Sequence, residues 1–365
     1  MLRTTSIRSL SRTVTLAASL VAAAAPAAVP AQRANTPANS ALASTIDSIV
    51  ARPEYRHSFF GVAIYSLDTR QTIYARNADK FFVPGSTTKL LTEGTVLELL
   101  GADYRFHTRV YRTGPVDRDG TLDGDLVLVA SGDPDLSGRI QPDGSLAFEN
   151  EDHAYGGSVD TKAVPGDPLA VIRELAHQVR QHGITAVRGH VIVDASLFPD
   201  GDRELGTGVV ISSIVVNDNV VDVTVSPGTK PGDAASIHAS PTTAYVTFIN
   251  KATTGAADSR PDINWASDST APDGSHVVTV TGSMPAVKPS ILFSYAVPEP
   301  TRFAEVTFAE ALREQGVRAA VDRPGTPTDL KALAASYTDA NAVAEHVSPP
   351  LSQEVKVTLK VSQNL

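Results

Sequence analysis

The chain has 365 residues, 42% hydrophobic and 19% charged, with a formal net charge of -9 at pH 7; it can bury a core large enough for more than one domain. No Lys/Arg-rich block occurs and aromatics are only 6%, which leaves nucleic-acid binding without support. Cysteine is absent, excluding disulfides, thiolate catalysis, zinc–thiolate sites and a lipid-bearing N-terminal Cys.

In chain order, Arg3, Arg8 and Arg12 precede an Ala-rich apolar run from Val14 to Val29, and Val29-Pro30-Ala31 supplies the small residues for cleavage after Ala31. This three-part pattern reads as a secretory signal peptide over residues 1–31. The run is short and weakly hydrophobic for a membrane span. The expected location is therefore exported, periplasmic or extracellular, with loose association with membrane or cell wall left open. Ala41 to Val50 reads as a helix, with Leu42, Ile46 and Ile49 on one face. Phe59 to Leu67 and Gln71 to Ala75 read as a hairpin about the turn Asp68-Thr69-Arg70.

Pro84-Gly85-Ser86-Thr87-Thr88-Lys89 then opens a helix that runs from Ser86 to Leu100, carries Leu90, Leu91, Val96, Leu97, Leu99 and Leu100, and stops at Gly101. Positions i and i+3 share a helix face, so Ser86 and Lys89 stand side by side at its N-terminus. The partial positive charge there favours an alkoxide and opposes an ammonium. A serine beside such a lysine is a nucleophile with its own base. Ser86 as a plain N-cap is the other reading of the same residues.

Phe106 to Arg112 alternates as a strand. Asp117 to Asp125 is acidic and Gly-containing, but it lacks the glycine position and closing glutamate of an EF-hand, so it reads as a hairpin turn. Leu126 to Ala130 is a buried strand, followed by the turn Ser131 to Leu136 and a long polar loop from Pro142 to Gly166. An amphipathic helix spans Pro168 to His182, with Leu169, Ile172, Leu175, Ala176 and Val179 inward. Val187 to Asp194 is a strand. Ile211 to Val225 reads as Val-rich strands broken at Asn217-Asp218-Asn219, and Ile237 to Leu292 as all-β. A second amphipathic helix covers Arg302 to Gln315, a short strand starts at Val317, Pro324 to Leu333 reads as a linker, and Leu351 to Leu359 as a last helix leading to Ser362-Gln363-Asn364.

A Ser-x-Asn turn can relay a proton through its hydroxyl and hold a substrate amide. In this context the sequence resembles the serine D-alanyl-D-alanine carboxypeptidases and endopeptidases with a large insert, the class C low-molecular-mass penicillin-binding proteins. The resemblance rests on Pro84 to Lys89, Ser131-Gly132-Asp133-Pro134, Gly189 to Phe198, Asn217 to Val223, Ser348-Pro349-Pro350-Leu351 and Ser362-Gln363-Asn364, in that order. Ser362 follows Ser86 by 276 residues, a spacing too long for β-lactamases and simpler carboxypeptidases.

The resemblance implies an α/β (α+β) fold: a penicillin-binding/β-lactamase-like catalytic domain, incomplete at its C-terminus and interrupted by nested β-rich domains. The expected division is 1–31 signal peptide, 32–103 first part of the catalytic domain, 104–235 first part of the insert, 236–296 nested domain, 297–335 second part of the insert, and 336–365 second part of the catalytic domain. It also implies catalytic Ser86, Lys89 and Ser362, substrate-binding Asn364, no cofactor and no metal. The substrate would be a peptidoglycan stem peptide and the covalent inhibitors β-lactams. Oligomeric state is not indicated. The family's third motif, Lys-Thr-Gly or a variant, does not occur in the sequence. It lines the oxyanion site, and one missing oxyanion donor costs about 10²–10³ in rate, so activity is expected to be weak or absent. A non-catalytic peptidoglycan- or β-lactam-binding protein is the alternative, and a secreted β-lactamase a third reading. The nine histidines show no His-x-His or His-Glu-x-x-His spacing. His238 and His276 read as surface residues, and Arg112, Asp133 and Asp194 as members of turns and solvated faces.

Overall fold

The computed structural model describes residues 37–364; the expected signal peptide lies outside them. The chain divides between Pro84 and Gly85 into two compact units. In the first, α1 (Pro37–Val50) is followed by the antiparallel pair β1 (Val62–Ser66) and β2 (Gln71–Arg76). Asp47 on α1 accepts hydrogen bonds from the Tyr74 hydroxyl (2.6 Å) and the Arg76 guanidinium (3.1 Å) on β2. The helix and hairpin read from the sequence are both present.

The second unit starts with a 3-10 turn at Gly85–Thr87 and α2 (Thr88–Leu100). Gly101 ends α2 at φ +88°, a backbone region open to glycine. Strands β3 (His107–Arg112), β4 (Thr121–Leu122) and β5 (Leu126–Val129) follow, then α3 (Ala170–Gln181), β6 (Ala186–Val187) and β7 (Val191–Asp194). The β-rich stretch contributes β8 (Val220–Ser226), β9 (Ser236–Ser240), β10 (Val246–Asn250), β11 (Thr253–Gly255), β12 (Asp262–Thr270), β13 (His276–Pro285) and β14 (Ile291–Ala296). The chain continues through α4 (Pro300–Glu314), α5 (Leu330–Leu333), β15 (Ala342–Val347) and α6 (Leu351–Val361).

Three larger sheets organise this unit: β15-β3-β5-β7, β14-β8-β9, and β10, β11 and β12 all paired to β13. In the first, β5 and β7 are parallel, as a strand–helix–strand crossover through α3 requires. α3 and α4 pack on each other, and against β15 and β7 respectively. Ile172, Leu175 and Val179 of α3, Phe303, Phe308 and Leu312 of α4, and Leu126 and Leu128 of β5 are fully buried in one continuous core. The fold is mixed α/β, in agreement with the sequence. Among the described residues no helix is long and apolar enough to cross a membrane.

Several local expectations give way to longer-range packing. Ile211 to Val216 forms no ladder; its one pairing is the bridge of Val216 to Leu136. Here Ser212 accepts from the Ile214 N–H (3.3 Å) and Ser213 donates to the Ala195 carbonyl (2.8 Å), so side chains compete with strand pairing. In place of the short strand at Val317 there are isolated bridges, Arg318 to β6 and Val321 to β7. His276 is buried, not on the surface: β13 is flanked by three strands, and its ring nitrogens meet Asp268 (2.6 Å) and Glu299 (2.9 Å). Asp133 and Asp194 are buried rather than solvated. Asp194 accepts from the Tyr337 hydroxyl at 2.7 Å and the Ser196 N–H at 3.0 Å.

Candidate active site

Gly85, at φ +52°, turns the chain into the helical turn that carries Ser86. Ser86 is therefore inside the turn, one residue ahead of the cap position at Thr87. The turn and α2 together place Ser86 at the positive end of the helix dipole. Lys89, one turn in, points its Nζ back to Ser86 Oγ at 3.3 Å.

The third member arrives from far along the chain. Ser348 is fully buried, and its hydroxyl accepts from the Phe106 N–H (2.9 Å) while its own N–H donates to the Phe106 carbonyl (3.0 Å). The first turn of α6 then donates Leu351 N–H to the Tyr104 carbonyl (2.8 Å) and Ser352 N–H to the Ala102 carbonyl (3.0 Å). The segment after α2 thus caps the start of α6, and the two helices run back along each other. Thirteen residues of α2 make about 20 Å and eleven of α6 about 16 Å, at about 1.5 Å per residue. The end of α6 is returned to the start of α2, where Asn364 Oδ1 accepts a hydrogen bond from Lys89 Nζ across 275 positions of sequence.

Ser86, Lys89 and Asn364 line one open cleft of about 570 Å³. Ser362 caps α6 in the left-handed conformation (φ +61°, ψ +35°), an uncommon region for a residue with a Cβ. Among the described residues it makes no hydrogen bond to Ser86 or Lys89, so the structure joins three of the four expected residues directly and leaves the fourth two residues away. Gln363, buried between them, accepts the Asn364 N–H at 2.8 Å.

Two acids of the cleft escape sequence reading. Glu93 lies one turn beyond Lys89; burial raises its carboxyl above the ordinary range, with the lysine charge opposing. Glu204 accepts from Asn364 Nδ2 at 2.9 Å and from the N–H groups of Gly206 (2.8 Å) and Thr207 (2.6 Å). Its burial acts to raise the pKa, but these hydrogen bonds together hold the carboxylate below its usual range. A spacing of four from Lys89 was a readable signal for Glu93. Glu204 carried none, since it reaches Asn364 over 160 positions.

Asp152, His153 and Asp218 converge at spacings a metal could use. Their donor set is already committed. The Arg139 guanidinium donates to Asp152 at 2.6 and 2.8 Å and to Asp218, and sits 3.8 Å from the centre of the Phe148 ring. His153 faces carboxylates with both ring nitrogens, Asp222 at 2.9 Å and Asp218 at 3.1 Å. That geometry uses the doubly protonated imidazole. Burial alone would lower its pKa, but the two carboxylates raise it to about 9. The Asn-Asp-Asn turn at 217–219, all three at positive φ, aims Asp218 into this network.

The sequence matches the D-Ala-D-Ala carboxypeptidase 3 (S13) family over residues 42–365. The chain belongs to that family. The D-alanyl-D-alanine carboxypeptidase of Actinomadura sp. (strain R39) is 28% identical over 338 residues, which cover 88% of this chain and 55% of that protein. Penicillin binding protein 4 (dacB) from Haemophilus influenzae shares the fold, with a TM-score of 0.59 at 19% identity over 82% of this chain and 58% of that one. Its complex with a novel β-lactam gives 0.57 at 19% identity, over 83% and 57%. The chain therefore spans little more than half the length of these relatives.

Proposed function

We propose that this S13 chain carries the nucleophile and base of a serine-type D-Ala-D-Ala carboxypeptidase/endopeptidase acting on peptidoglycan stem peptides. The observation that supports it most is the convergence of the Ser86 hydroxyl and the Asn364 amide on the Lys89 nitrogen. In the reaction, the amine form of Lys89 takes the Ser86 proton, and Oγ attacks the carbonyl carbon between two D-alanines. The tetrahedral oxyanion develops at the positive, N-terminal end of α2, whose dipole supplies part of its stabilisation. Collapse breaks the C–N bond. The leaving amine receives its proton through Lys89 and Ser362, and water then cleaves the ester on Ser86. Asn364, held by Glu204, is assigned the substrate amide.

The same reading makes β-lactams covalent ligands of Ser86 and places the protein outside the cytoplasm. It keeps the catalytic domain at 32–103 and 336–365, with the insert between. In the 365-residue chain, release of D-alanine from a peptide ending in D-Ala-D-Ala is expected to be slow, and what release there is should disappear in Ser86→Ala. In Lys89→Ala it should fall by about 10²–10⁴, the usual contribution of a general base. Unchanged release from Ser86→Ala would overturn the assignment.

A further inference from the structure

Glu354 lies on α6 two turns before Ser362, and its side chain enters the insert at the Ser131–Leu136 turn. Four buried polar atoms here have no hydrogen-bond partner that their ordinary ionised or neutral forms provide: Asp133 Oδ2, Asp135 Oδ2, Glu354 Oε1 and His346 Nε2. Asp133 and Asp135 are each 1% exposed. The carboxyls of Glu354 and Asp135 are within hydrogen-bonding reach of each other. Two ionised carboxylates can only accept, so such a contact between them is repulsive and leaves lone pairs unsatisfied in a dry site. One proton converts it into a charge-assisted O–H···O bond.

We propose that Glu354 and Asp135 share a single proton at neutral pH, with Glu354 as donor, and that this bond is the joint holding α6, and with it Asn364, on the insert. Glu354 is then a positioning residue; its bearing on acylation rests on the Ser86 reading above, while the joint itself does not.

The surrounding charges choose the donor. Glu354 is opposed by Asp135 and Asp133 and relieved by Arg139. Asp135 is relieved by Arg139 and His346 and opposed by Asp218. His346, on β15, is held through Nδ1 by Glu174 of α3 at 3.1 Å, with its Nε2 3.8 Å from Asp133 Oδ2. Burial first, then the neighbouring carboxylates, push Glu354 up to about 11, and burial raises Asp133 to about 6. A metal is a poorer explanation of the orphaned oxygens. Among the described residues the group with converging ligand atoms is the Asp152–His153–Asp218 set, and this one is not.

The sign of the pH effect follows. A carboxyl whose folded pKa is raised gives its full stability below its unfolded value and loses it as pH rises toward the folded value. The Glu354 proton therefore makes the folding constant fall by about tenfold per pH unit from about 4.5 upward. Glu354→Gln keeps a donor to Asp135 without a titrating proton and should remove that share of the slope; Asp135→Asn, donating to an ionised Glu354, should do the same. Two readouts on the full chain test this. Infrared difference spectra at pH 7.5 should show a protonated-carboxyl carbonyl band in the parent that is missing in Glu354→Gln. Melting between pH 5 and 9 should be steeper in the parent than in either variant. No band in the parent, or equal slopes in all three proteins, overturns the joint. If band and slopes behave as stated while no protein is acylated by a β-lactam, the joint stands and the Ser86 reading is what fails.

Discussion

α2 and α3 are helices of nearly equal length with opposite surroundings. Val171, Ile172, Leu175, Ala176 and Val179 of α3 are all buried. α2 has no buried residue, and Leu91 and Leu99 are 74% and 75% exposed. The difference is written in the spacing. The apolar residues of α3 fall on one stripe with charged residues opposite, the pattern of a helix lying on a core. Those of α2 run around the whole helix, a pattern that belongs to burial on several sides. Helical spacing thus predicts a helix in both cases, but only the stripe predicts which face is covered. The stability of the second unit therefore resides around α3, whereas α2 contributes geometry: a turn, a serine and a lysine.

The contrast can be broken most forcefully at the charges. Arg139, with a side chain 1% exposed, neutralises Asp152 and Asp218. Arg139→Met leaves buried carboxylates without a partner and should cost about 3–5 kcal/mol in denaturant unfolding. Lys89→Met, in the open cleft, should alter stability by no more than about 0.5 kcal/mol. Equal losses would contradict the division. A smaller effect separates the two helices themselves. Leu175→Ala is expected to cost about 2–5 kcal/mol, and Leu91→Ala to stay within about 0.5 kcal/mol. A large loss at Leu91 would show that α2 is covered in solution.

What the sequence reveals follows the same line. Local periodicity made α3, α4, α6 and the first hairpin readable, and the Ser86–Lys89 pair came from a spacing of three on one helix. Asn364 was readable only through its motif, since nothing local brings it to Lys89; the Ser348 clamp and the matched lengths of α2 and α6 do that. The polar stretch from Pro142 to Gly166 read as a loop, yet it buries Asp152 and His153. Buried charges look like loop residues until their partners are known. Those of Arg139 lie 13 and 79 positions away. Asp133 and Asp135 were hidden for the same reason: a Gly-Asp-Pro-Asp turn reads as solvated, and only α6, β15 and the neighbouring loop close it off.

The central claim is that Ser86 is the reacting group, and peptide-mapped mass spectrometry after long incubation with a β-lactam tests it most directly. Trypsin should release Phe81 to Lys89 as one peptide. The account predicts that this peptide alone gains the mass of the β-lactam, and that Ser86→Ala abolishes the gain while the insert stays folded. An adduct on another peptide, or one that persists in Ser86→Ala, would contradict it.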